Sequence, residues 1–108
     1  MNRLFIYGSL APNEINGHIL KGIGGTWEEA TVKGILYEKG WGAQMGFPGI
    51  ILDNSASKID GYLFTCENLD KKWDFLDDFE GEEYERVIAE VKLANNKYID
   101  AFIYTLKD

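Results

Sequence analysis

The chain has little of the residue types on which several common kinds of site are built. Its 108 residues include one cysteine, Cys66, and one histidine, His18. A lone cysteine cannot form an intramolecular disulfide, and it cannot supply a structural zinc site. The single cysteine fits a protein of the reducing cytoplasm, and the sequence predicts no metal site. The spacing leaves a Cys66–His18 dyad open, although a cysteine in an apolar strand is more typical of a core residue.

Positive charge is also scarce, because 11 Lys and Arg residues stand against 18 Asp and Glu residues and the formal net charge is −7. Nucleic-acid-binding proteins gather Lys and Arg on one surface, and the sequence contains no such cluster. No apolar run reaches the length of a membrane span, and the first ten residues lack the pattern of a signal peptide. We therefore expect a protein that binds neither nucleic acid nor a membrane.

Apolar residues are plentiful at 45%, which is enough for the core of one domain covering residues 1–108. The segment "ENLDKKWDFLDDF" predicts a helix with Asn68 as its N-cap, and a shorter helix is expected in 11–25. Alternating or apolar runs predict strands at 3–7, 30–38, 49–53, 59–65, 86–94 and 98–105. The pattern predicts an α+β fold, a small curled antiparallel β-sheet or barrel of about six strands with flanking helices.

The predicted helix carries an apolar stripe that ends in a carboxyl group. Leu69, Trp73 and Leu76 follow helical spacing, and the next position of the stripe is Glu80. Gly81 follows, as expected of a residue that ends a helix in the left-handed conformation. Burial, the negative end of the helix dipole and the surrounding acidic residues would each raise the pKa of Glu80. A carboxyl of this kind is suited to general acid–base catalysis.

The same acidic segment, "DDFEGEEYE", has a plainer interpretation. It can form a solvated turn in which Glu80 is hydrogen-bonded to Arg86 or to a tyrosine hydroxyl, since structural ion pairs also perturb acids. The position of Glu80 on the helix does not decide between the two interpretations.

The segment "YGSL" near the N-terminus also has two interpretations. It can be a simple turn, with Tyr7 in the core and Ser9 capping the next segment. Alternatively, Gly8 stops the first strand so that backbone N–H groups face a bound carboxylate or a developing oxyanion. Ser9 is a weak candidate for a nucleophile, because the segment lacks the flanking glycine of a nucleophile elbow.

Four segments in this order, "LFIYGSL", "VKGILY", "GFPGIIL" and "LDDFEGEEYER", resemble the γ-glutamylcyclotransferase-like family. This family includes AIG2-like plant proteins and γ-glutamylamine cyclotransferases. The resemblance implies a small barrel flanked by helices, with a substrate pocket where the first strand ends. It also implies an enzyme that cyclises a γ-glutamyl group to 5-oxoproline and releases an amine or amino acid, without a cofactor. Its partner would be a small-molecule γ-glutamyl substrate.

Carried over to this sequence, the resemblance assigns Tyr7, Gly8, Ser9 and Leu10 to the substrate pocket and Glu80 to acid–base catalysis. Backbone amides of the "YGSL" loop would hold the γ-glutamyl group.

The resemblance leaves several alternatives open. The fold can also serve as a small-molecule binding or regulatory module without turnover. A partner-binding surface around Trp41 and Phe47 is a third possibility. The sequence does not predict the exact γ-glutamyl compound, the oligomeric state, or whether Tyr84 or Arg86 faces the pocket.

Overall fold

The computed structural model describes residues 2–8, 17–21, 24–38 and 48–107. Within these ranges no helix is long and apolar enough to cross a bilayer. The elements in chain order are β1 (Arg3–Ile6), α1 (His18–Lys21), β2 (Thr26–Tyr37), β3 (Gly49–Leu52), β4 (Lys58–Thr65), a 3₁₀ helix (Glu67–Lys71), α2 (Trp73–Glu80), β5 (Tyr84–Leu93) and β6 (Tyr98–Leu106).

Five of the strands form a closed barrel, and the sixth extends it on one side. The strand order is β3-β2-β4-β1-β6-β5, and β2 also pairs with β5 through Ala30 and Leu93, which closes the sheet. Strand β1 runs antiparallel to β4 but parallel to β6, where Leu4 pairs with Phe102. The predicted α+β fold with a six-stranded barrel-like sheet is confirmed. In the described sheet, β1, the first strand, inserts between β4 and β6, and its pair with β6 is parallel.

The buried side chains form two clusters, one on each face of β1. Neighbouring residues of β1 belong to different clusters. Phe5 belongs to a cluster formed by strand residues alone, which includes Leu63 and Ile103. Leu4 belongs to a second cluster that also contains residues of the helices, among them Leu76. Successive side chains of a strand point to opposite faces, so β1 contributes to both clusters. The helices therefore pack on the outer face of β1.

The predicted helix after β4 is interrupted. Lys72 has φ −114° and ψ −2°, and it separates the 3₁₀ helix from α2. Its N–H donates to the carbonyl of Leu69 at 2.9 Å, as in a 3₁₀ turn. The prediction that Asn68 caps the helix is wrong, because Asn68 lies inside the 3₁₀ helix and Cys66 holds the N-cap position. The predicted stripe is nevertheless buried, with Trp73 only 9% exposed.

Strand β4 lies so close to β1 that one glycine in β4 has no room for a side chain. A Cβ atom at Gly61 would lie 2.5 Å from the carbonyl oxygen of Ile6 and 2.5 Å from Cζ of Phe5. A backbone oxygen held in a strand ladder cannot move aside. The contact between β1 and β4 therefore depends on glycine at this position.

We expect Gly61→Ala to destabilise the protein by about 1–3 kcal/mol, because the added methyl group overpacks the β1–β4 contact. Urea unfolding measures the change. Gly8→Ala is the matched control, since a Cβ atom at Gly8 would meet no described atom within 4 Å. Equal midpoints for Gly61→Ala and the wild type would contradict the prediction.

Candidate active site

Glu80 is the last residue of α2, and the chain leaves the helix there in a conformation that requires glycine. Gly81 has φ 86° and ψ −174°, and its N–H donates to the carbonyl of Asp77 at 3.0 Å. The positive φ was expected, but ψ is extended rather than left-handed helical. This region of backbone conformation is essentially restricted to glycine. Gly81 therefore ends the helix directly after the Glu80 carboxyl group.

The Glu80 side chain is partly buried, as the apolar stripe predicted. Burial raises the pKa of the Glu80 carboxyl from its usual 4.5 to about 7. Of the three influences expected from the sequence, burial is the one that accounts for this rise. A carboxyl with a pKa near neutrality can both accept and return a proton under ordinary conditions.

Tyr7 follows β1 and connects three strands through its hydroxyl group. The hydroxyl donates to the carbonyl of Tyr104 in β6 at 2.7 Å and accepts from the N–H of Ile50 in β3 at 3.1 Å. Burial raises the pKa of the Tyr7 phenol, and the charges of Glu80 and Tyr84 add to the rise while the Ile50 N–H opposes it. The hydroxyl of Tyr7 thus fixes the end of β1 against β6 and β3.

Gly8, the next predicted site residue, is partly buried and has no positive φ. An added Cβ atom there would meet no described atom within 4 Å. Neither a positive φ nor a contact with the described residues therefore accounts for a glycine at this position. Ser9 and Leu10 lie outside the described residues, as do Trp41 and Phe47, so their roles remain predictions.

In the described contacts the ion pair of Arg86 is with Asp77, whereas the plainer interpretation placed it with Glu80. Its Nε and Nη2 atoms donate to the two carboxylate oxygens of Asp77 at 2.9 and 3.2 Å. The hydroxyl of Tyr104 also donates to Asp77, at 2.7 Å. Burial alone would raise the pKa of Asp77, but these hydrogen bonds and the Arg86 charge together hold it below its usual value.

Sequence reasoning missed this arrangement around Asp77. One signal was available, since Asp77 precedes Glu80 by three residues and so lies near it on the helix surface. The other partners were not recognisable, because Arg86 and Tyr104 come together only through the β5–β6 register. Tyr84, whose orientation was left open, is buried.

Among the cavities lined by described residues, size does not identify this site. A cavity of about 1070 Å³ lies between β2, β5 and the β3–β4 turn, with Lys33, Asn54 and Tyr98 among its lining residues. It contains neither Glu80 nor Tyr7. A smaller one of about 390 Å³ opens beside the end of α2, lined by Asp77, Asp78, Gly81, Glu82, Tyr84, Arg86, Tyr104 and Lys107. The perturbed acid and the strand end therefore define the candidate site better than volume does.

The class of protein is given by the family comparison. The model of the family described as "Gamma-glutamyl cyclotransferase, AIG2-like" matches residues 4–108. The chain therefore belongs to the AIG2-like γ-glutamyl cyclotransferase family, as the resemblance indicated. A sequence search of curated proteins finds no match.

Solved structures agree on the fold. An AIG2-like protein from Mus musculus superposes with a TM-score of 0.73 at 22% identity, over 97% of this chain and 76% of that one. YkqA from Bacillus subtilis gives 0.71 at 24% identity and covers 98% of this chain, which spans only 36% of YkqA. A structure titled "Gamma-glutamyl cyclotransferase" gives 0.70 at 16% identity, over 99% and 67% of the two chains. At these identities the likeness establishes the fold.

The raised pKa of Glu80 makes a prediction about stability. A carboxyl with a pKa near 7 in the folded state and near 4.5 in the unfolded state binds more protons when folded between these pH values. Its contribution to stability is fully present below pH 4.5 and is lost as the pH rises through 7. The Glu80→Gln variant has no ionisable group at position 80, so its stability lacks this dependence on pH.

We therefore expect Glu80→Gln to gain stability relative to the wild type between pH 5 and pH 8. Urea unfolding of both proteins at several pH values measures the difference. Glu83→Gln, an exposed neighbour, is the control and should show no such trend. A difference between Glu80→Gln and wild type that is independent of pH would contradict the burial of an ionisable Glu80.

Proposed function

We propose that this protein is a γ-glutamylcyclotransferase that converts a γ-glutamyl group to 5-oxoproline and releases the attached amine or amino acid. The observation that carries the proposal is the Glu80 carboxyl, with a pKa raised to about 7, on a helix that Tyr104 connects to the end of β1. Membership of the γ-glutamyl cyclotransferase family supports the choice of reaction.

The reaction is an intramolecular aminolysis, which needs one proton removed and one returned. The α-amine of the γ-glutamyl group attacks its own γ-carbonyl carbon, a new C–N bond closes the five-membered lactam, and the original amide C–N bond breaks. Because nucleophile and carbonyl belong to the same molecule, the protein has only to hold them in a reactive geometry. The reaction needs no metal, redox cofactor or covalent intermediate.

Glu80 is the proposed acid and base in both proton transfers. The α-ammonium group first loses one proton to bulk water and becomes the free amine. As the carboxylate, Glu80 removes the second proton from the attacking nitrogen, and as the acid it passes this proton to the departing amine. The backbone N–H groups from Gly8 to Leu10 are proposed to stabilise the negative oxygen of the tetrahedral intermediate. Neutral Glu80 is well populated near pH 7, so one residue can serve both steps.

We expect the wild type to release 5-oxoproline from at least one member of a panel of γ-glutamyl amino acids and γ-glutamylamines. Glu80→Gln should lower kcat by about 10²–10⁴-fold, because it removes the proton acceptor while keeping the size of the side chain. Chromatographic measurement of 5-oxoproline gives the rates. As the pH is lowered, the kcat/KM of the wild type should decrease with a midpoint near pH 7 rather than near pH 4.5.

The control variant is again Glu83→Gln, which changes one exposed acidic residue in the segment that follows the helix. It should retain wild-type rates. Equal turnover by folded Glu80→Gln and wild type would rule out Glu80 as the acid–base residue. Absence of product from every compound in the panel would favour the alternative role of a binding or regulatory module.

Gly8→Ala tests the proposed role of the strand end. The substitution should leave stability unchanged, because a Cβ atom at Gly8 meets no described atom. It should lower kcat/KM by about 10- to 100-fold, because the methyl group would displace the substrate from the backbone amides. Steady-state kinetics and urea unfolding together check both parts. Unchanged kcat/KM would show that the substrate does not approach this backbone.

A further inference from the structure

Three side chains that the proposed reaction does not use meet at the C-terminal turn of α2. Arg86 and Tyr104 face each other in the β5–β6 ladder. Both donate to the carboxylate of Asp77, Arg86 through two nitrogen atoms at 2.9 and 3.2 Å and Tyr104 through its hydroxyl at 2.7 Å. We refer to Asp77, Arg86 and Tyr104 as the Asp77 clamp.

Aromatic rings fix the orientation of the arginine in this clamp. The Arg86 Cζ atom lies 4.7 Å from the ring centroid of Trp73 and 4.4 Å from that of Phe102. The two rings are themselves in edge contact, with centroids 4.9 Å apart. A planar guanidinium can stack on a ring and still present two N–H groups to one carboxylate, which an ammonium cannot do. The geometry of the clamp therefore requires arginine.

Tyr104 connects the clamp to the other half of the candidate site. Its hydroxyl binds Asp77, which lies three residues before Glu80 in α2. Its backbone carbonyl accepts the hydrogen bond from the hydroxyl of Tyr7, the residue before Gly8. One residue of β6 thus contacts both the helix that carries the acid and the strand end that carries the amides.

We infer that Asp77, Arg86 and Tyr104 are positioning residues that hold the Glu80 carboxyl at a fixed place relative to the strand end at Gly8. This inference rests on the proposed function. The clamp residues need not touch the substrate, since they act through the helix and strand to which they are attached. Weakening the clamp should therefore slow the chemical step more than it weakens substrate binding.

The clamp also controls the charge near Glu80. Within the described part of the chain, the titratable groups near Glu80 include Asp77 on its own helix, Tyr104 from β6, Tyr7 from the end of β1, and Tyr84 from β5. Arg86 neutralises Asp77. Removal of the Arg86 charge alone leaves an uncompensated carboxylate one turn from Glu80, and a like charge disfavours ionisation of Glu80. When the charges of Asp77 and Arg86 are both removed, no carboxylate at position 77 disfavours the ionisation of Glu80.

The kinetic test uses Tyr104→Phe and Arg86→Lys on the γ-glutamyl compound that the wild type turns over best. We expect kcat to fall about 10- to 100-fold with KM changed less than about threefold. Tyr98→Phe, at an exposed tyrosine of the same strand, is the matched control and should behave as wild type. Wild-type kcat in both folded clamp variants would overturn the inference.

A second readout does not depend on turnover. Titration of ¹³C-labelled Glu80 by NMR should give a midpoint at higher pH in Arg86→Gln than in the wild type. The double variant Asp77→Asn/Arg86→Gln should bring the midpoint back toward the wild-type value. If the wild type turns over no γ-glutamyl compound, the proposed function fails, and this titration still tests the clamp. An unshifted midpoint in folded Arg86→Gln would overturn the clamp's coupling to Glu80.

Discussion

The packing of α2 against the barrel is the interaction on which the candidate site depends. Leu69, Trp73 and Leu76 are buried on the face of β1 that carries Leu4 and Ile6. Each large apolar side chain buried in this way contributes about 1.5–3 kcal/mol. That contribution offsets the cost of placing Glu80, the next position of the same stripe, in partly desolvated surroundings. The raised pKa of Glu80 is therefore a consequence of helix packing.

Two carboxyl groups near the end of α2 have different surroundings. The Asp77 carboxylate is engaged by Arg86 and Tyr104, and its pKa is lowered. The Glu80 carboxyl, one turn later, has its pKa raised. Two carboxyl groups on one short helix thus have opposite protonation behaviour near neutral pH because their surroundings differ. This separation of pKa values is the pattern by which proteins assign distinct roles to neighbouring acids.

Much of this arrangement was predictable because it is local. The strands were found from alternation and apolar runs, and Glu80 was found from a stripe with helical spacing. The interruption at Lys72 and the displaced cap were not predictable, since they depend on how the chain leaves β4. The pairing of Asp77 with Arg86 and Tyr104 depends on the β5–β6 register and on the docking of α2. Such long-range contacts leave no periodic signal in the sequence.

The strand order explains why residues from both ends of the sequence lie in the candidate site. Insertion of β1 between β4 and β6 places Tyr7 where its hydroxyl reaches both Tyr104 and Ile50. The Tyr7 hydroxyl donates one hydrogen bond to a backbone carbonyl and accepts one from a backbone N–H, so the side chain is rigidly held. The position of the next residue is therefore fixed as well. Gly8 occupies that position, and neither its backbone conformation nor its described neighbours require glycine. Tyr104 connects this strand end to α2, which carries Glu80, and the γ-glutamyl group is therefore proposed to bind between them.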